Sequence, residues 1–453
     1  MLGKPQDRQQ RDLFRPMLID FIDPSHELVL LSRKIDWTYL EKEFSKFYSD
    51  TGKPSEPIRF MVGCLILKQL FNLGDDKLPS AWVMNPYMQY FCGEAVFHHK
   101  FPCDPSDFVH FRKRIGEEGM NIIFRHSITL HGKDAEEKLV VSDTTVQGNN
   151  TTFPTDAKLY KKVIDRCVSI VKVEGLPLRQ SYSKVSKNLV RQTQGRTNPR
   201  KKKGAASAQR KLKTIAGRLV RELLRNMSEE QRMKYSAELE VFNRVLSQEK
   251  DSKDKVYSIH KPYTACIAKG KADHNYEFGN KVGLISTANT QIIVAIQAFP
   301  GNPHDNRTIG PLVEQMKRNG LPLPTTLAYD RGGRGPKNVC GVEIITPGKS
   351  KASDTKYDKA EKRKPFRRRA AIEPQIGHLK KDFRMQENFL MGMVSSTVNA
   401  MLAATAWNLK KLMRKLKGIF YFLYYWKILP SLTPTFALAI NGGKFETLEI
   451  RSF

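Results

Sequence analysis

The chain has 453 residues, 40% of them hydrophobic and 9% aromatic, enough for two or three domains with a substantial core. Its 76 Lys and Arg stand against 46 Asp and Glu, a net charge of +30 that opposes compaction and asks for a polyanionic partner, nucleic acid ahead of an anionic membrane surface. The six cysteines form no Cys-x-x-Cys pair, which argues against a zinc ribbon or disulfide framework and for reduced thiols in the cytoplasm.

Residues 1–45 read as an N-terminal arm with one short helix, and Met1 to Arg15 is too polar for a signal peptide. Residues 46–132 read as a small all-α DNA-binding domain. Within it, Ile58 to Phe71 is apolar on most helical faces, Ser80 can cap a second helix that Pro86 ends or restarts, and Asp104-Pro105-Ser106 opens a third. On that third helix Phe108, Phe111 and Ile115 form an apolar side, while Arg112, Lys113 and Arg114 are expected to be exposed. A basic last helix after two short ones suits a helix-turn-helix-like unit, with Arg112 and Arg114 as candidate DNA contacts.

Residues 133–416 carry strand signals and are expected to form a ribonuclease-H-like α/β domain, a mixed sheet flanked by helices. The order is a strand at 138–142, a basic helical insertion over about 157–256, a hairpin at 281–288 and 291–299, a helix from Asp305 to Asn319, a strand ending at Asp330, a short strand at Val342 to Thr346, and a final helix. A doubly wound parallel sheet would lack the hairpin. Between Arg191 and Arg225 the insertion is strongly cationic, Glu222 being its one acid. Lys201, Lys202 and Lys203 are therefore candidates for a surface that tracks a DNA backbone, although a solvated linker has the same composition. Residues 417–453 read as an aromatic tail; Ile419 to Trp426 is too short to span a bilayer, so no membrane is expected.

Against this basic background three carboxylates stand out. Asp143 and Asp330 each follow an apolar strand-like run, and Glu373 lies in a helix-like stretch. An acid at a strand end is positioned by the sheet yet reaches solvent. Three such groups can hold two Mg2+ ions, with Mn2+ able to substitute, one for the attacking oxygen and one for the leaving oxygen. Spacing of i, i+4 and i+11 puts Arg369, Glu373 and Lys380 on one helical face, with Ile372, Ile376 and Leu379 beside them as an anchor. Pro374 requires that the helix start or kink near Glu373. Competing acids read more simply: Asp156 as a helix cap, Asp382 as a surface partner, Glu277 as a turn residue, and His304 and Asp305 as a helix cap ahead of a supporting role behind the metal ligands. Lys281 can approach a scissile phosphate from the hairpin, though strand-edge lysines are usually solvated.

Phe366, Arg369, Glu373 and Lys380 keep the spacing of the Tyr-(two)-Arg-(three)-Glu-(six)-Lys signature of insertion-sequence transposases, with phenylalanine in place of tyrosine. With Ser142-Asp143-Thr144, Gly301-Asn302-Pro303-His304-Asp305, Tyr329-Asp330-Arg331-Gly332, Lys269-Gly270-Lys271, Tyr276-Glu277-Phe278-Gly279-Asn280-Lys281 and Asn85-Pro86-Tyr87, the chain resembles the DDE transposases of bacterial insertion sequences, closest to the family conventionally numbered five. The blocks span about residues 57–412. The resemblance implies Asp143, Asp330 and Glu373 as metal ligands, Arg369 and Lys380 on phosphates of the element end or target, and N-terminal helices on the terminal inverted repeats. It further implies hydrolysis at the element end, attack of the freed 3′-hydroxyl on double-stranded target DNA, and a homodimer across two ends. A metal-dependent nuclease that cuts without joining would share the acids, and a non-catalytic DNA-binding relic would have lost one.

Overall fold

The computed structural model describes residues 1–3, 15–52, 54–249, 251–268, 275–348 and 354–428, with side chains described to 418. The aromatic stretch 419–426, the tail beyond 428 and the Lys269-Gly270-Lys271 block therefore fall outside what can be said of side chains or of structure. Seven helices come first: α1 (Leu18–Phe21), α2 (Glu27–Lys34), α3 (Trp37–Ser45), α4 (Ile58–Leu70), α5 (Leu78–Val83), α6 (Pro86–Cys92) and α7 (Pro105–Thr129). Local chemistry sets their starts. Asp104 and Asp107 form a capping box around Pro105 at the head of α7, and the Asn85 side chain accepts from the Tyr87 and Met88 amides ahead of Pro86. Pro86 thus restarts a helix, whereas Ser80 lies inside α5 rather than capping it. The third expected helix runs on to Thr129 across a break at Gly116, whose φ of 56° suits glycine.

The region expected as an arm differs from that expectation, since residues 18–45 form three helices. Leu28, Leu31, Trp37, Leu40 and Phe44 are buried in the same core as α4. Pro24 and the Ile35-Asp36 step cut the segment into pieces too short for a helical period to stand out, yet Asp36 caps α3 by accepting from the Tyr39 amide.

The sheet has strands β1 (Leu139–Gly148), β2 (Ala265–Ala268), β3 (Tyr276–Thr287), β4 (Ile293–Phe299), β5 (Thr326–Ala328), β6 (Asn338–Val339) and β7 (Val342–Ile345). Its order is β2-β3-β1-β5-β7-β6, with β4 also pairing β3. β3 runs antiparallel to β1 and β4, whereas β5 is parallel to β1 and β7. Such a mixed sheet with many helices is consistent with a ribonuclease-H-like domain. Between β1 and β2 lie α8 (Asp156–Glu174), α9 (Ser183–Thr193), α10 (Lys202–Asn226), α11 (Glu229–Lys234) and α12 (Ser236–Ser247). These helices close on a hydrophobic core of their own, including Val163, Ile164, Leu212, Leu219, Phe242 and Val245.

After the hairpin come α13 (Asn306–Arg318), then α14 (Lys356–Arg369), α15 (Ile372–Lys381) and α16 (Ser395–Ile428). The N-terminal helices, expected as a small domain of their own, pack against the rest of the body. Their buried side chains share one core with the sheet, and Val398, Met401, Leu402 and Leu409 of α16 belong to it as well. A helix from the far end of the chain thus completes the apolar surface that α2, α4 and α7 present. Among the described residues all six cysteines are free, and no helix is long and apolar enough to cross a membrane.

Candidate active site

The parallel register of β1 and β5 pairs Leu139 with Thr326 and Val141 with Ala328. Two residues further along each chain stand Asp143 and Asp330, so the sheet brings them level. Asp143 is not at the end of its strand, however. β3 pairs with β1 as far as Gly148, opposite Gly279, while β5 stops at Ala328 and leaves the other edge beside Asp143 open. Asp330 heads a short helical turn at Arg331–Gly333, and its Oδ1 accepts from the Gly332 amide at 2.8 Å. Asp143 Oδ1 accepts from the Thr144 amide, also at 2.8 Å.

The remaining oxygens face Arg369. Its Nη2 lies 3.2 Å from Asp143 Oδ2 and 3.7 Å from Asp330 Oδ2, and both Arg369 and Asp143 are under a fifth exposed. Burial pushes the Asp143 carboxyl up to about 6; the Thr144 amide and Arg369 pull it down, while Asp330 and Asp305 push it further up. A carboxyl raised mainly by burial, beside a second carboxylate, is a mark of functional sites.

Glu373 is not part of this cluster. The helical run breaks after Arg369 and resumes at Ile372, so Pro374 falls in the first turn of α15, where its missing N–H costs no hydrogen bond. Ala370 and Ala371 keep right-handed helical dihedrals across the join; Arg369 and Lys380 are half-buried and Glu373 is exposed. Among the described residues no three His, Cys, Asp or Glu side chains gather closely enough to hold a metal ion. The aspartate pair nevertheless fits a hard divalent cation, because its donors are carboxylates on adjacent strands and a cationic group already lies between them.

Other expected contacts are found elsewhere. Arg112 is buried, with Nη1 and Nη2 on the two oxygens of Asp75 at 3.1 and 2.6 Å, so it is a structural cation and not a surface contact. Arg114 is exposed, over the Tyr48 ring. Lys201, Lys202 and Lys203 are exposed where α10 begins. Lys281 is neither solvated nor open to a phosphate, since its Nζ donates to Asp305 Oδ1 at 2.8 Å and to the Pro303 carbonyl at 2.7 Å. Asp305, expected as a helix cap, precedes α13 but its side chain makes no cap bond. It accepts from Lys281 and from Thr144 Oγ1, the latter at 2.9 Å. Thr155 rather than Asp156 caps α8, and Asp156 accepts from Gln209 within the insertion. Asp382 pairs with His378 at 2.7 Å. Thr144 and Gly332 went unread in the sequence; only their places inside the matching blocks hinted at them.

Comparison with known proteins bears on the family of the chain. Residues 16–114 match a family described as a transposase domain (DUF772), and residues 249–409 match the transposase DDE domain. The second match takes in Asp330, Arg369, Glu373 and Lys380, while Asp143 lies ahead of it. A curated relative from Rhizobium meliloti, described as the uncharacterized protein ORF8 in the nfe locus, is 38% identical over 183 residues, 39% of this chain and 88% of that protein. No solved structure matches the chain. The chain belongs to the DDE transposases. Its pairing of the two transposase domains fits the insertion-sequence family conventionally numbered five.

Proposed function

We propose that the protein cuts DNA at the ends of its insertion sequence and joins the freed 3′-hydroxyl to target DNA, with Asp143, Asp330 and Glu373 as its acids. The observation that carries this reading is the alignment of Asp143 with Asp330 across parallel strands, with Arg369 between their carboxylates. Divalent cations, Mg2+ or Mn2+, would supply activation of the attacking and leaving oxygens of the phosphate. Asp143 and Asp330 would hold them, and Glu373, on the first turn of α15, would complete the set on DNA. Arg369 supplies positive charge to the aspartates in the metal-free protein. A guanidinium equally suits a phosphate, which gives it a second partner once DNA arrives. Arg114 and the exposed lysines of α10 would contact the DNA backbone, and Lys380 a phosphate nearer the site. Two protomers would act on paired ends.

The test is mobilisation of the gene with its native flanking DNA from a donor plasmid, wild type beside Asp330→Asn. Movement with wild type alone is the expected result. Normal movement with Asp330→Asn would sink the assignment of the acids.

A further inference from the structure

Asp305 stands where α13 meets the sheet, and its side chain turns away from its own helix. The backbone of β1 and β3 explains what it meets. Thr144 pairs with Gly283 and Val146 with Lys281, so Thr144 and Lys281 project from one face of the sheet as diagonal neighbours. Gly283 lets α13 approach that face. A Cβ there would stand 3.0 Å from Leu312 and 3.5 Å from Thr308, both on α13. One oxygen of Asp305, Oδ1, then takes both the Thr144 hydroxyl and the Lys281 ammonium, while the Thr308 hydroxyl donates to the Asp305 carbonyl at 2.7 Å. Its other oxygen reaches toward the acid pair. A Cβ on Gly332 would come within 2.5 Å of Asp305 Oδ2 and 2.9 Å of Asp330 Oδ1, so both carboxylates crowd this one glycine.

Resting on the reading above, we infer that Asp305 is a positioning residue for Asp143 and Asp330, acting through Thr144 and balanced by Lys281. Pinning the Thr144 side chain on one face fixes the peptide whose N–H is bound to Asp143 Oδ1. Lys281 offsets part of the Asp305 charge, the remainder being felt at Asp143, whose carboxyl Asp305 helps to raise. Groups that orient ligands in this way typically cost about 10–100-fold in metal affinity or activity when removed.

Two readouts test this. One is cleavage of a supercoiled plasmid carrying the gene's own flanking DNA; the other is Mn2+ binding by the DNA-free protein, followed by electron paramagnetic resonance. Thermal melting serves as the fold control. Asp305→Ala and Thr144→Val should each lower cleavage and Mn2+ affinity by about 10–100-fold. Combined, they should lose no more than the worse single variant, because both break one path. Asp305→Asn keeps an acceptor for Thr144 and should recover part of the loss. If Asp305→Ala fails to fold, Thr144→Val carries the test alone. Wild-type values in Thr144→Val, or losses that multiply in the double variant, overturn the inference. A wild-type protein that does not cut, or an Asp330→Asn protein that does, faults the underlying reading instead, and Mn2+ binding still reports on Asp305.

Discussion

Removing the guanidinium of Arg369 would leave Asp143 and Asp330 facing each other with no cation between them, one of them well buried. The lost charge-assisted bonds are worth about 1–2 kcal/mol, discounted because Asp330 is over a third exposed. Arg369→Gln should therefore melt lower than wild type in EDTA, and Mn2+ should restore part of the difference by supplying the missing countercharge. Equal melting of the two proteins in EDTA would show that the arginine contributes nothing there. The acid pair itself was legible in the sequence because each aspartate follows an apolar run, a signal confined to a few neighbouring residues. Arg112 was misread although the signal was present. It lies four residues after Phe108 and three before Ile115, on the buried side of α7, and its partner Asp75 is remote in sequence. Lys281 and Asp305 could not be paired from the sequence, because their contact depends on how closely α13 docks on the sheet.

At the scale of elements, the connection between the N-terminal helices and α15 rests on a few side chains at the end of α4. Gln69 Nε2 donates to the Phe383 carbonyl at 2.6 Å, and Asn72 Nδ2 to the Lys381 carbonyl at 3.1 Å. Just beyond, Asp75 is shared by two cations, Lys68 at 2.6 Å and Arg112. One carboxylate cannot fully serve both. Burial, and then the charge of Arg112, lower the Lys68 ammonium to about 8 despite the pull of Asp75. Its folded value lies below its unfolded value, so the unfolded chain binds the extra proton and stability rises with pH between about 8 and 10.5. Lys68→Met should thus raise the melting temperature at pH 7, with the gain shrinking toward pH 10. Asp75→Ala, which strands two buried cations, should cost about 3–5 kcal/mol. A pH-independent effect of Lys68→Met would contradict this account. The hairpin of β3 and β4 was readable from its two apolar runs and the polar turn between them. Short β2 and β6 were not, being 4 and 2 residues long and held by neighbours distant in sequence. The break between α14 and α15 was foreshadowed by Pro374, but its position fell between two helical patterns that periodicity alone runs together.

For the whole molecule, the division into two hydrophobic cores decides which surfaces can change without loss of the fold. The body joins the N-terminal helices to the sheet through α16, a contact between chain ends that no local pattern announces. The insertion keeps its own core, and α10 supplies it with Ala208, Leu212, Leu219 and Leu223 while turning Lys201, Lys202, Lys203, Arg210, Lys211 and Lys213 to solvent. These cations sit on a face with nothing apolar to cover, and the chain as a whole carries +30. If the face tracks a DNA backbone, each phosphate it neutralises releases counterions and steepens the fall of log K with log salt by about 0.9. Replacing Lys201, Lys202 and Lys203 together by glutamine should therefore flatten that slope by about 2–3 and weaken binding to unrelated duplexes alike, as backbone contacts carry no sequence information. Because the three side chains are exposed, melting should be unchanged, which separates lost contact from lost fold. Fluorescence anisotropy on a labelled duplex across a salt series measures the slope directly. A slope equal to wild type would mean that the basic face of α10 is merely solvated, and the search for the DNA path would then move to Arg114 on α7 and to the surface of α15 beside the acid pair.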